Sequence, residues 1–184
     1  TSDNLLSGWS FWLYWHEERL PAIVGSFLFP PHVPSRPVMF PNHGAKWSSL
    51  TAWLPLFGAS GMMAYLLMPQ RSWLKKMIAA CLLIAVIPGL NSIFILLNNS
   101  YYTRWFYALI LLMCLATVLA MERRGIDYLR GVKWTAGITV GMVLAVGLTP
   151  VKEEGKWKIG LASDIPTFWM YAAFTAVCLL ATWL

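Results

Sequence analysis

The chain has 184 residues, of which 58% are hydrophobic, 15% aromatic and only 12% charged, against about 25% charged in an average soluble domain. That balance excludes an ordinary soluble fold and points to a membrane protein. The formal net charge of +6 does not point to nucleic acid, because no basic run lies on a polar face and the bases flank apolar segments as membrane topology demands.

Residues 9–15 (WSFWLYW) gather Trp and Tyr rings of the kind that prefer a membrane interface. His16, Glu17, Glu18 and Arg19 follow, then an apolar stretch to Phe29. Residues 5–28 read as an amphipathic or re-entrant segment on the outer face, too interrupted by charge to span. Glu17 and Glu18 diverge by about 100° on a helix, so only one could serve a site as a base, and solvation of both is the simpler reading. The next stretch, FPPHVPSRPVMFPNHGAKW, holds five prolines between Pro30 and Pro41 and must be an extended loop. It carries His32, Arg36, His43 and Lys46. A loop histidine can shuttle protons near neutral pH or simply be solvated. His16, His32 and His43 lack metal-ligand spacing, so no metal and no cofactor is expected.

A span needs roughly 17–25 apolar residues. Five segments qualify, at about 47–68, 77–97, 105–121, 134–149 and 166–184. The expected architecture is therefore an all-α polytopic membrane protein of about five transmembrane helices. Residues 1–46 form its extracytoplasmic interfacial helix and Pro-rich loop, and residues 47–184 its transmembrane region. The second span contains Pro88-Gly89 and Asn91-Ser92. A broken helix at membrane depth is tolerated where it is buried in protein or lines a wet cavity. The break is either a packing kink or a device that turns Asn91 toward a cavity leading to Arg104.

The turn after it, NNSYYTRWFY, puts amides, aromatic rings and Arg104 at headgroup level. Interfacial arginines are costly to place and often sit where anions are held. The sequon at Asn98 is read as coincidental. Arg71, Lys75 and Lys76 crowd one short loop, and Arg123, Arg124, Arg130 and Lys133 another. The positive-inside rule makes both cytoplasmic, and residues 1–46, the NNSYYTR turn and residues 150–165 outer. Residues 150–165, which mix Lys152, Glu153, Glu154, Lys156 and Lys158, read as a solvated hairpin. Gly137 and Gly141 form a GxxxG pair, more often a site of packing within a chain than of dimerisation. Cys81, Cys114 and Cys178 lie in apolar runs and read as packing residues. The ends, Thr1 and an uncharged Trp183-Leu184, suggest a piece of a longer polypeptide.

PNHGAKWSSLTAWLPLFG, IPGLNSIFILLNNSYYTRWFYALILLMCLATVLAMERR and the preceding FLFPP resemble the conserved middle of the YfhO-type bacterial membrane proteins. Those are large polytopic proteins similar to GT-C glycosyltransferases. The resemblance covers residues 27–123. It implies transfer of a sugar from a polyprenyl-phosphate carrier to an extracytoplasmic cell-envelope acceptor, in the bacterial cytoplasmic membrane. It also implies that the catalytic acid lies upstream, that a large outer carboxy-terminal part is missing, and that this piece alone is inactive.

Arg104 suits such a donor, since a guanidinium makes bidentate, charge-assisted contact with phosphate. Tyr101 and Tyr102 can hydrogen-bond the head, and Trp105 can pack against the isoprenoid or a sugar ring. Arg36, His43 and Lys46 are secondary contacts for donor or acceptor polar groups. The plainer alternative is that Arg104 snorkels to headgroups within an aromatic belt. Two other functions remain open, a transporter or lipid flippase built on the broken second span, and a non-catalytic scaffold subunit. The expected partners are the lipid-linked donor, its acceptor, membrane lipids and the remainder of the polypeptide.

Overall fold

The computed structural model describes residue 12 and residues 19–31, 52–96, 104–123, 125–153, 156–162 and 164–184. Among these, the chain forms seven α-helices and one hairpin. They are α1 (Arg19–Leu28), α2 (Ser60–Leu66), α3 (Trp73–Val86), α4 (Pro88–Asn91), α5 (Phe106–Glu122), α6 (Tyr128–Leu148), β1 (Pro150–Glu153), β2 (Lys156–Ile159) and α7 (Ile165–Trp183). A 3₁₀ turn, Ser92–Ile95, continues α4.

Local signals account for the helix starts. Ser72 Oγ accepts the Lys75 N–H at α3, Asp127 Oδ1 the Arg130 N–H at α6, and Asp164 Oδ1 the Thr167 N–H at α7. Each satisfies one of the donors a helix start leaves open. Two helices, α6 and α7, are long and apolar enough to cross a membrane. A third crossing is reached if α3 and the bent Pro88–Phe94 segment count as one. The apolar α5, at 17 residues, covers about 25 Å at a 1.5 Å rise per residue. Leu111 and Val118 on α5, Val140 and Leu144 on α6, and Val177 and Leu180 on α7 are exposed. Helices apolar on their outer faces as well as their inner ones are those of a membrane protein.

The expected first span is not one helix. Leu56 (φ 68°) and Gly58 (φ 54°) take left-handed backbone, and only Ser60–Leu66 is helical. Pro55 stops a helix from running through this stretch. Its backbone is satisfied instead by local turns, Gly58 N–H to Leu54 O at 2.8 Å and Ser60 N–H to Phe57 O at 3.0 Å. Seven residues reach only about 10 Å, so α2 is a wedge rather than a crossing. It lies between α5 and α6 because both approaches are cleared of side chains. A Cβ on Gly61 would sit 2.6 Å from Thr117 Oγ1, and one on Gly131 2.5 Å from Ser60 O.

The described part of the amino-terminal segment, α1, packs one side against the rest of the molecule and leaves Leu20 and Val24 exposed. In α1, Ile23 and Phe27 join the main apolar cluster of α2, α3 and α5. Leu28 and Phe29 join a second cluster with Val146, Phe168 and Ala172 of α6 and α7. The helix is held by the residues it gives to these two clusters. The rest of residues 5–28, apart from the exposed Trp12, and the Pro-rich loop beyond Pro31 lie outside the described residues.

The GxxxG pair also lands differently. A Cβ on Gly137 or Gly141 would meet nothing within 4 Å. The close approaches on α6 belong to Gly131 and to Gly147, where a Cβ would lie 2.9 Å from Trp169. The hairpin expected in residues 150–165 forms, pairing Pro150 with Ile159 and Glu153 with Lys156 in antiparallel register.

Neighbouring helices alternate in direction, so the bundle has two distinct ends. The segment from Gly58 to Ala64 meets α6 at Thr139 and Thr135 first and at Gly131 later, so α2 points its carboxyl end toward the start of α6. Tyr65 Oη donates to Ser72 Oγ at 3.1 Å, and Lys75 Nζ to the Leu66 and Met68 carbonyls, which binds the start of α3 to the same end. The two basic loops therefore meet at one end of the molecule. The hairpin and the starts of α5 and α7 lie at the other.

Candidate functional site

The feature at that other end is an elbow. Ile87, preceding proline, is extended (φ −95°, ψ 115°), the backbone region that a following proline favours. Pro88 brings no N–H, so the chain turns by 105° between Trp73–Val86 and Pro88–Phe94. Local bonds carry the turn: Ile87 N–H to Leu83 O and Asn91 N–H to Ile87 O, both 3.0 Å. Leu96 then takes left-handed backbone (φ 53°) and ends the 3₁₀ turn.

The elbow is packed, not open. Pro88, Gly89 and Asn91 are buried. Ser92 is fully buried beside them. The cavity-lining alternative for Asn91 thus gives way to the packing one, since its exposure is 0%. Phe94 stacks on Trp105 at 5.4 Å, and Trp105 meets Phe106 edge-on at 4.9 Å. Phe106 in turn lies 6.3 Å from Phe27 of α1. A run of rings thus joins the elbow, the start of α5 and α1.

Arg104 stands on this platform. It is exposed in the turn before α5, and α5 has no side-chain cap on its first N–H groups. An uncapped helix start carries partial positive charge and open donors, so guanidinium and helix start act on an anion in the same sense. Two buried polar atoms nearby, Trp105 Nε1 and Ser92 Oγ, have no hydrogen-bond partner among the described residues.

Of the residues expected in the site, the structure thus describes two. Arg104 is available to a ligand. Trp105 is 6% exposed, so its ring supports the turn, and its indole N–H is the part left without a partner among the described residues. Tyr101, Tyr102, Arg36, His43 and Lys46 lie outside the described residues, as do His16, His32 and the sequon. Among the described residues, no three His, Cys, Asp or Glu side chains gather as metal ligands.

Sequence reasoning missed Asp164. Its carboxylate accepts from both the Thr167 N–H (3.2 Å) and the Thr167 hydroxyl (2.7 Å). The hydroxyl bond first, then the backbone bond, holds its pKa below the ordinary value. The signal was present as an acid ahead of Ile165-Pro166-Thr167, a cap followed by proline in the first turn. Also missed was the seam of buried hydroxyls, Thr117, Thr135, Thr139 and Thr175. Thr117 and Thr139 donate to carbonyls four residues back, each at 2.8 Å, and Thr175 to Leu28 O at 3.3 Å. No family model, curated protein or solved structure matches the chain.

Proposed function

We propose that the chain is part of an integral-membrane glycosyltransferase that moves a sugar from a polyprenyl-phosphate carrier to an extracytoplasmic acceptor. The observation that carries this reading is the exposed Arg104 at the uncapped start of α5, at the end of the helices opposite the basic loops. With those loops cytoplasmic, Arg104 meets the outer headgroup layer, where a polyprenyl phosphate presents its anion.

Its chemistry follows from that position. An acceptor hydroxyl attacks the anomeric carbon, the bond from that carbon to phosphate oxygen breaks, and the polyprenyl phosphate leaves with the electron pair. Arg104 offsets the charge growing on the departing phosphate. The hydroxyl proton goes to a base supplied by the remainder of the polypeptide. Tyr101 and Tyr102 orient the head, and Arg36, His43 and Lys46 meet donor or acceptor hydroxyls. Trp105 fixes the turn from below.

The test is Arg104→Ala in the full-length protein. Glycosylation of the envelope polymer is lost while the protein folds normally; unchanged modification removes Arg104 from the reaction. The 105° break favours a second reading, a lipid transporter, because discontinuous helices build transport sites. Movement of a polyprenyl-phosphate lipid across liposomes without chemical change would select it.

A further inference from the structure

A groove of about 360 Å³ runs between α6 and α7, on a part of the molecule the elbow does not touch. Its walls include Ala136, Val140, Leu144, Ala176 and Leu180. The hydroxyl it includes, Thr139 Oγ1, is spent on Thr135 O at 2.8 Å. The groove is therefore almost wholly apolar, and it suits hydrocarbon.

Its length and its end narrow the occupant. From Val132 to Leu144 it covers about 18 Å of helix at 1.5 Å per residue, close to one leaflet's share of a ~30 Å hydrocarbon core. It closes on Trp183, and Lys133 Nζ lies 5.3 Å from that ring. Arg130, one turn earlier on α6, is exposed. This is the basic end of the molecule. An apolar channel of one acyl-chain length that ends on a lysine, an arginine and an interfacial tryptophan has the pattern of a lipid with a negative head.

We infer that the α6–α7 groove binds one acyl chain of an anionic phospholipid from the leaflet at the basic end, with its phosphate against Lys133 and Arg130. A second protein helix in the groove is the competing occupant. The charge at the groove's end favours the lipid, since a helix would gain nothing from it.

The test uses the full-length protein in micelles doped with equal phosphatidylglycerol and phosphatidylcholine, with retained lipid counted by native mass spectrometry. Wild type keeps phosphatidylglycerol in preference. Lys133→Gln and Arg130→Gln each cut that preference by about fivefold and leave phosphatidylcholine unchanged. Ala176→Phe, which fills the groove from an exposed position, lowers retention of both lipids. Equal retention of the two lipids by wild type overturns the inference. So does indifference to Ala176→Phe. Thermal unfolding of each variant confirms that it is folded; Lys133 and Arg130 are both exposed, so their exchange leaves the fold intact.

Discussion

Arg104 and the glycines of the helix contacts behave in opposite ways on replacement. Arg104 is exposed, so its removal shifts stability by less than about 0.5 kcal/mol, while under the proposed function loss of its phosphate contact costs about 10²–10³ in kcat. Measuring both on the full-length protein separates function from folding. At Gly131 a methyl group would lie 2.5 Å from the Ser60 carbonyl. Gly131→Ala therefore overpacks the wedge and destabilises by about 1–3 kcal/mol. At Gly137 a methyl meets nothing within 4 Å, so Gly137→Ala stabilises by about 0.5–1 kcal/mol through helix propensity alone. Detergent unfolding curves read the contrast; equal effects at the two positions would contradict the packing described. The sequence shows four glycines on α6 with equal weight. Which of them touch is decided by α2, whose place depends on contacts far apart in the chain.

At the scale of elements, the cap of α7 gives a pH-dependent prediction. Asp164 has a lowered pKa because Thr167 donates to its ionised form twice. A carboxylate whose folded pKa lies below its unfolded one stabilises fully above the unfolded value. That contribution fades as pH falls through the folded value. The helical signal of α7 thus weakens in acid, and Asp164→Asn, which caps without a charge, removes the dependence. An unchanged acid profile in Asp164→Asn would show that the cap is not its source. Elements were unequally legible in the sequence. The spans that became α6 and α7, and the hairpin between them, follow from apolar length and turn composition. The first span failed because a continuous apolar run hides Leu56 and Gly58 in left-handed backbone. The Pro88 break was visible, but its 105° angle depends on rings that Phe94, Trp105 and Phe106 bring together from beyond the turn. The turn that carries Arg104 and Trp105 was thus legible from local chemistry, and the ring packing beneath it only from the folded chain.

Across the whole molecule, charge and shape agree. The basic residues near Arg71 and those near Arg130 are remote in sequence, yet α2, Tyr65 and Lys75 bring their loops to one end. The hairpin, with Trp157 and Ile159 exposed, and Arg104 mark the opposite end. This two-ended arrangement is what the proposed function needs, since the donor phosphate and the bases that fix orientation must face different sides of the bilayer. The most direct measurement is labelling of single cysteines by a membrane-impermeant thiol reagent in intact cells. The background carries the full-length protein with Cys81, Cys114 and Cys178 replaced by alanine. Arg104→Cys and Trp157→Cys are predicted to label from outside, and Gln70→Cys and Gly125→Cys only after the membrane is opened. Labelling of all four from one side, or protection of Arg104→Cys on both, would contradict a phosphate site at the outer end of the elbow.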